Sequence, residues 1–173
     1  MIVLEAKLKG KIEQYTLIDE AIRTALFCRN KALRYWMDNE KVNGYDLNKQ
    51  MAVLAKEFDF AKKLGSQARQ SGSERAWSSI SRFYDNCKKK VSGKKGFPKF
   101  KKCGNSVEYK QAGWKLSEDR KYLKSSNKEN VECQNSAPKL IAKLRISSPI
   151  FSNKRSKNCL IFFVRRSLTI IKS

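Results

Sequence analysis

Gly93-Lys94-Lys95-Gly96-Phe97-Pro98-Lys99-Phe100-Lys101-Lys102 is the stretch on which the reading of this 173-residue chain turns. Five lysines surround two aromatic rings, and two glycines and a proline keep the segment out of helix. Charge and stacking surface are therefore presented together on exposed backbone, which suits a phosphate backbone with bases beside it. Phe97 and Phe100 have two readings at this stage, stacking on bases or packing inward.

Upstream of this loop the pattern is helical. From Gln67 to about Lys90 the apolar positions Ala68, Ala76, Ile80, Phe83 and Cys87 step at helical spacing, with Ser66 as a plausible cap and Gly72 as a local weakness. Ala68, Ser71, Gly72 and Ser73 are small enough to admit either another helix or a nucleic-acid backbone. A linker through Lys62-Lys63-Leu64-Gly65 precedes them. Before it, Asp46 is read as the cap of a helix carrying Leu47, Met51, Leu54 and Phe58, after a turn at Asn43-Gly44. A longer amphipathic helix is expected from about Ile12 to Met37, and its apolar stripe is read as core. Residues Ile2 to Lys9 alternate as a half-buried strand does.

Downstream, Ser106-Val107-Glu108-Tyr109-Lys110 and Trp114 to Leu123 alternate in short stretches and read as strands. Strands on both sides of a helical block predict an α+β arrangement in which the helices are an insertion. From about Ser125 the pattern is lost: residues 125–173 are apolar in isolated clumps, yet still carry ten Lys+Arg against two Asp+Glu.

The whole chain has 38 Lys+Arg, 16 Asp+Glu and no His, a formal charge of +22 that exceeds what solubility needs. With basic and aromatic residues interleaved along most of the chain, nucleic acid is the expected partner. Cys28, Cys87, Cys103, Cys133 and Cys159 form no C-x-x-C pair, so free thiols in a reducing cytoplasm are expected, with no zinc site or disulfide frame. Met1-Ile2-Val3-Leu4-Glu5 is charged too early for a secretory signal, and no apolar run approaches the roughly 20 residues of a membrane span. The expected location is cytoplasmic, with no membrane partner and no small-molecule substrate.

The ordered series Arg29-Asn30-Lys31, Trp36, Gln67-Ala68-Arg69-Gln70, Glu74-Arg75-Ala76-Trp77, Phe83-Tyr84, Gly96-Phe97-Pro98-Lys99-Phe100-Lys101-Lys102 and Trp114-Lys115-Leu116-Ser117 resembles the N-terminal half of OrfB/TnpB-type proteins of bacterial insertion sequences, relatives of the compact type V CRISPR effectors. The resemblance covers residues 1–124, and its specificity lies in the order of the motifs. It implies a fold: a three-helix recognition lobe, helix-turn-helix-like, inserted between strands of an incomplete wedge-type β-barrel. The implied divisions are a first wedge strand at 1–10, the lobe at 11–90, the basic loop and return to wedge strands at 91–124, and a divergent tail at 125–173. It also implies partners, guide-type RNA and a transposon-adjacent motif in DNA. By the same resemblance the nucleic-acid-binding positions are Tyr45, Ser66, Gln67, Gln70, Arg75, Lys94, Lys95, Lys99, Lys101 and Lys102. Glutamine pairs bidentately with adenine and lysine neutralises phosphate, while Gln67 and Gln70 also read simply as an exposed helix start.

Full members of that family run to more than twice this length, and their Mg²⁺-binding nuclease carboxylates and zinc-ribbon cysteines lie in the part this sequence lacks. The expectation is therefore a truncated binding fragment, with no cofactor, no nuclease activity and out-of-frame translation after about Lys124. The alternatives are a non-functional product of a decayed transposase gene and a basic RNA-binding protein of ribosomal type. Catalysis by Asp19-Glu20, Asp38, Asp59 or Glu118-Asp119 has no spacing in its favour, since each acid reads as a helix-face or turn residue.

Overall fold

Helical periodicity becomes four helices: α1 (Ile12–Asp38), α2 (Gly44–Glu57), α3 (Asp59–Lys63) and α4 (Ser66–Lys88). The computed structural model describes residues 2–9, 11–104, 106–110, 114–118, 122–125, 130–133, 143–147 and 159–164. Of the stripe expected on α1 (Ile18, Ile22, Ala25, Leu26, Leu33, Trp36 and Met37), Ile22, Ala25 and Leu33 are buried and Met37 is exposed. Leu33 packs with Cys28 and Ala32, which the stripe did not include, against Leu47, Met51 and Leu54 of α2 and Ala76 and Ile80 of α4. Burial of each large aliphatic side chain in such a cluster stabilises the fold by about 1.5–3 kcal/mol.

The helix starts differ in detail from the expectation. Asn43, not Asp46, caps α2, its Oδ1 accepting from the N–H groups of Tyr45 at 2.8 Å and Asp46 at 3.1 Å. Asp46 completes the box from inside the helix by accepting from the Asn43 N–H at 3.1 Å. Gly65 stands at the N-cap of α4, and Ser66 is its first helical residue. A short helix, α3, runs into the expected linker and ends at Lys63 within it; its last carbonyls are closed by Arg69 of α4, donating to Ala61 O at 3.0 Å and also to Leu64 O.

One face of α4 is built for contact with α1. Ala68, Ser71, Gly72 and Ser73 are all buried, and a Cβ on Gly72 would lie 2.9 Å from the Ala25 carbonyl oxygen and 3.2 Å from Cys28 Cβ. Close helix–helix packing therefore accounts for the small residues, and the backbone of α1 occupies the space that a nucleic acid would have needed.

Strands are assigned at β1 (Ile2–Lys9), β2 (Ser106–Tyr109), β3 (Trp114–Leu116), β4 (Tyr122–Ser125), β5 (Asn130–Cys133), β6 (Lys143–Ser147) and β7 (Cys159–Val164). They pair antiparallel in the open order β2-β6-β7-β1-β5-β4-β3. In the long β1–β7 pair, Ile2 stands opposite Val164 and Lys7 opposite Cys159. The structure corrects the expected α+β fold, a three-helix lobe set in an incomplete wedge-type barrel. The part of the chain whose side chains are described is mostly helical, with only the short β2 and β3 in the place of the returning wedge strands. These two do not pair with each other, since β2 joins β6 and β3 joins β4. Closure needs tilted strands and paired ends, and strands of three and four residues at opposite ends of an open row do not supply them. Burial is invested in the helical core, which β2 joins from outside by packing Val107 and Tyr109 beside α4. Apart from Ser125 and strands β5 to β7, the divergent tail at 125–173 lies outside the described residues.

Candidate nucleic-acid interface

The basic loop leaves α4 through a Schellman-type end. The N–H of Lys90 bonds to Cys87 O at 3.2 Å and that of Val91 to Asn86 O at 3.2 Å, which puts Lys90 at φ 49°, a left-handed position that favours glycine. Lys90→Gly is expected to raise stability by about 0.5–1 kcal/mol, read as a higher denaturant midpoint with unchanged slope. Gly93 and Gly96 then turn the chain at φ 82° and 75°, backbone angles that explain the glycines of the motif.

Beyond these turns the loop is a strap tied by its backbone. Asn86 of α4 donates to Lys95 O at 3.1 Å. Arg29 of α1 donates through both terminal nitrogens to Lys99 O at 3.2 Å. Asn30 grips Lys101 from both sides, donating to its carbonyl at 2.9 Å and accepting from its N–H at 3.2 Å. Pro98 is buried between these ties, while the side chains of Lys94, Lys95, Lys99, Lys101 and Lys102 are exposed. Charges are thus held out on a backbone already ordered, so less entropy is lost when a polyanion binds.

The two rings of the strap differ. Phe97 is 53% exposed yet lies 5.3 Å from Phe83 and 5.7 Å from Trp36 between ring centroids, and Trp36 Nε1 donates to the Tyr84 hydroxyl at 2.9 Å. One face of Phe97 packs inward and its outer part reaches solvent. Phe100 is 48% exposed.

Of the remaining positions named from sequence, Arg75 lines a cleft together with Lys101 of the strap, while the others lie on α2 and at the start of α4. Tyr45, 68% exposed in the first turn of α2, stacks under the Lys49 ammonium, whose Nζ is 4.7 Å from the ring centroid. Its neighbour Gly44 abuts the Trp77 ring, which puts Tyr45 about 15 Å along α4 from Gln67. Ser66 is exposed and Gln67 and Gln70 are half-buried in the first turns of α4, where their carbonyls accept from Ser71 and Ser73 hydroxyls. Arg75 is turned to internal use: it donates to Ser106 O at 2.8 Å and lies 3.5 Å from the carboxylate of Glu108, which is 5% exposed. In the same way Glu74 pairs with Lys110. These two contacts fasten β2 to α4.

Between α1, α4 and the end of the strap lies a cleft of about 460 Å³, whose basic lining is Arg29, Arg75, Arg82 and Lys101. Arg29 is 7% exposed, and burial, followed by the neighbouring Arg75 charge, lowers its pKa from the ordinary arginine value. Arg82 escaped the sequence reading. Its signal is the spacing Arg75, Ser78, Ser79, Arg82, which repeats on one helix face. A second group missed in sequence is the ring cluster Phe27, Phe58 and Phe60, with centroids 5.0–5.5 Å apart and Lys31 Nζ 5.3 Å from Phe58.

The acids weighed as metal ligands are dispersed. Asp19 is buried and Glu20 exposed on α1, Asp38 pairs with Arg34 at 2.8 Å, Asp59 opens α3, Glu118 is exposed, and Asp119 lies outside the described residues. Among the described residues no group of three or more His, Cys, Asp or Glu is gathered as a metal site, and no helix is long and apolar enough to cross a membrane. Cys28, Cys87 and Cys103 are free thiols, buried, half-buried and exposed in that order, and burial pushes the Cys28 pKa up to about 11. At about pH 8 a thiol reagent should therefore label Cys103 rapidly and leave Cys28 unmodified in the native protein; equal labelling rates by peptide mass analysis would contradict the packing of α1 against α4.

A scan against protein-family models gave no match to this chain, and a comparison with curated proteins gave none.

Proposed function

We propose that the chain is a nucleic-acid-binding module that holds phosphate backbones on a tethered lysine strap and does not cut them. The observation that carries this reading is the strap itself: five exposed lysines on a backbone fixed by Arg29, Asn30 and Asn86. Within a chain of formal charge +22, such a fixed row is a site for polyanions rather than a solvated surface. The ordered motif series supports a more specific form of the proposal, a fragment of the OrfB/TnpB type that binds guide-type RNA and DNA carrying a transposon-adjacent motif in a cytoplasmic setting. Tyr45 with Lys49, and the start of α4 with Ser66, Gln67 and Gln70, would then be further contact points along the same molecule. Lysine contacts of this kind bind many sequences with similar strength, whereas discrimination needs base-edge partners such as the glutamines.

The test is equilibrium binding of labelled RNA and DNA to the purified chain over a salt series. The logarithm of the association constant should fall linearly with that of salt, the strap alone contributing about −3.5 to −4.5 to the slope if all five of its lysines reach phosphates. Salt-independent binding, or none at low salt, would refute the reading, and Mg²⁺-dependent strand cleavage would refute the absence of chemistry.

A further inference from the structure

We propose that the cleft between α1, α4 and the strap is a phosphate seat that takes one backbone phosphate and its sugar from the bound nucleic acid, with Arg82 as its principal anion ligand. This rests on the nucleic-acid reading above and adds Arg82, which the motif series does not contain, to Arg29, Arg75 and Lys101, which it does.

The first reason is an uncompensated charge. Arg29 is 7% exposed, and among the described residues its hydrogen-bond partners are the neutral Asn30 Oδ1 and Lys99 O. A buried guanidinium satisfied only by neutral acceptors keeps its full field, and Arg75 adds a second charge of the same sign at the cleft wall. Glu108 offsets Arg75 in part from its buried place on β2. Among the described residues the cleft lining contains no acidic side chain. An anion entering it gains from both arginines at once, in surroundings drier than the open surface.

The second reason is the division of labour at the cleft. Arg29 and Arg75 are spent on the Lys99 and Ser106 carbonyls, so they supply field and hold the walls. Arg82 is exposed at the mouth, one helical turn from Ser78 and Ser79. Its planar fork matches two phosphate oxygens, and Ser78 and Lys101, both exposed residues of the same lining, carry further donors.

Shape and chemistry select the ligand. A volume of about 460 Å³ falls within the range of about 300–1,000 Å³ typical of small-ligand sites, more than a lone ion needs. Among the described residues the lining has no aromatic ring for a base to stack on, but Ile22 and Leu26 give it an apolar floor. Phosphate with its sugar fits this combination, and a base does not. The cleft also adjoins Lys101 of the strap, so a strand lying along the lysines would reach it without a break.

Two measurements separate the possibilities. In the first, thermal unfolding of the full chain is followed in about 50 mM inorganic phosphate and in chloride at equal ionic strength, for wild type and Arg82→Gln. Phosphate stabilises proteins in general by exclusion, so the readout is the difference: the rise in Tm should be about 2–4 °C larger in wild type. In the second, binding of labelled nucleic acid is measured over a salt series for wild type, Arg82→Gln and Lys56→Gln, an exposed lysine on α2 outside the cleft. Arg82→Gln should weaken binding about five- to tenfold at moderate salt and shorten the slope by about 0.7–0.9, and Lys56→Gln should do neither. Equal phosphate shifts in wild type and variant would overturn the seat. A phosphate shift lost in Arg82→Gln, with nucleic-acid slopes unchanged, would show a site for free phosphate and overturn the assignment to a strand while leaving the strap reading intact. Wild type that binds phosphate in the cleft but no nucleic acid at all would refute both.

Discussion

Gly72→Leu is expected to destabilise the protein by about 3 kcal/mol or more, enough to remove a large part of the stability of a domain this size. Two effects oppose each other at this position. Removing a glycine from the middle of a helix is worth about 1 kcal/mol in α4. Against that, the first added carbon would stand 2.9 Å from the Ala25 carbonyl oxygen and 3.4 Å from the Arg29 nitrogen. Both atoms belong to the backbone of α1, which cannot turn aside as a side chain can. Leucine adds three more carbons to that clash, so the steric term wins, and α1 must move off α4. Because Arg29 and Asn30 ride on that part of α1, the ties to Lys99 and Lys101 would move with it. Chemical denaturation should show a lower midpoint, and a midpoint at or above wild type would mean that α1 and α4 do not meet at Gly72.

Arg75→Met is expected to cost about 2–4 kcal/mol, with most of the loss recovered when Glu108→Gln is added. Methionine keeps the packing of the aliphatic stem but leaves Glu108, 5% exposed, without the guanidinium 3.5 Å away. It also removes the donor to Ser106 O. The figure is set toward the lower part of the range for broken buried pairs because the Arg75 side chain is about a third exposed. A double-mutant cycle isolates the pair; additive losses in that cycle would mean that Arg75 and Glu108 do not interact, and that Arg75 is available for phosphate as its motif suggested.

The contrast at Arg75 shows where sequence was legible. Helix positions followed from apolar periodicity, as at Ile22, Ala25 and Leu33, because a buried stripe repeats within a few residues, although Met37 of the same stripe is exposed. Caps were less legible: Asn43 and Asp46 share one box, and only geometry tells which side chain stands outside the helix. The small face of α4 had two physical meanings, and the approach of Ala25 decided between them. Partners distant in sequence left no local signal. Asn30 and Lys101 are 71 residues apart, and neither residue type announces such a tie. The expected barrel failed for a related reason. Alternation at Ser106–Lys110 and Trp114–Leu123 signals strands, and β2, β3 and the start of β4 lie there, but it carries no information on which strands pair: β3 pairs with β4, and β2 with the distant β6.

Replacing Lys94, Lys95, Lys99, Lys101 and Lys102 together by glutamine, and repeating the salt series with RNA and with DNA, tests the central claim most directly. The five ammonium groups are exposed while the backbone ties run through carbonyls and one N–H, so the variant should fold with the same circular dichroism and melting behaviour within about 0.5 kcal/mol. Its slope should be shallower than that of wild type by about 3.5–4.5, with affinity at moderate salt lower by about a thousandfold. A variant that folds normally and binds with the wild-type slope would contradict the claim that this strap holds the phosphate backbone.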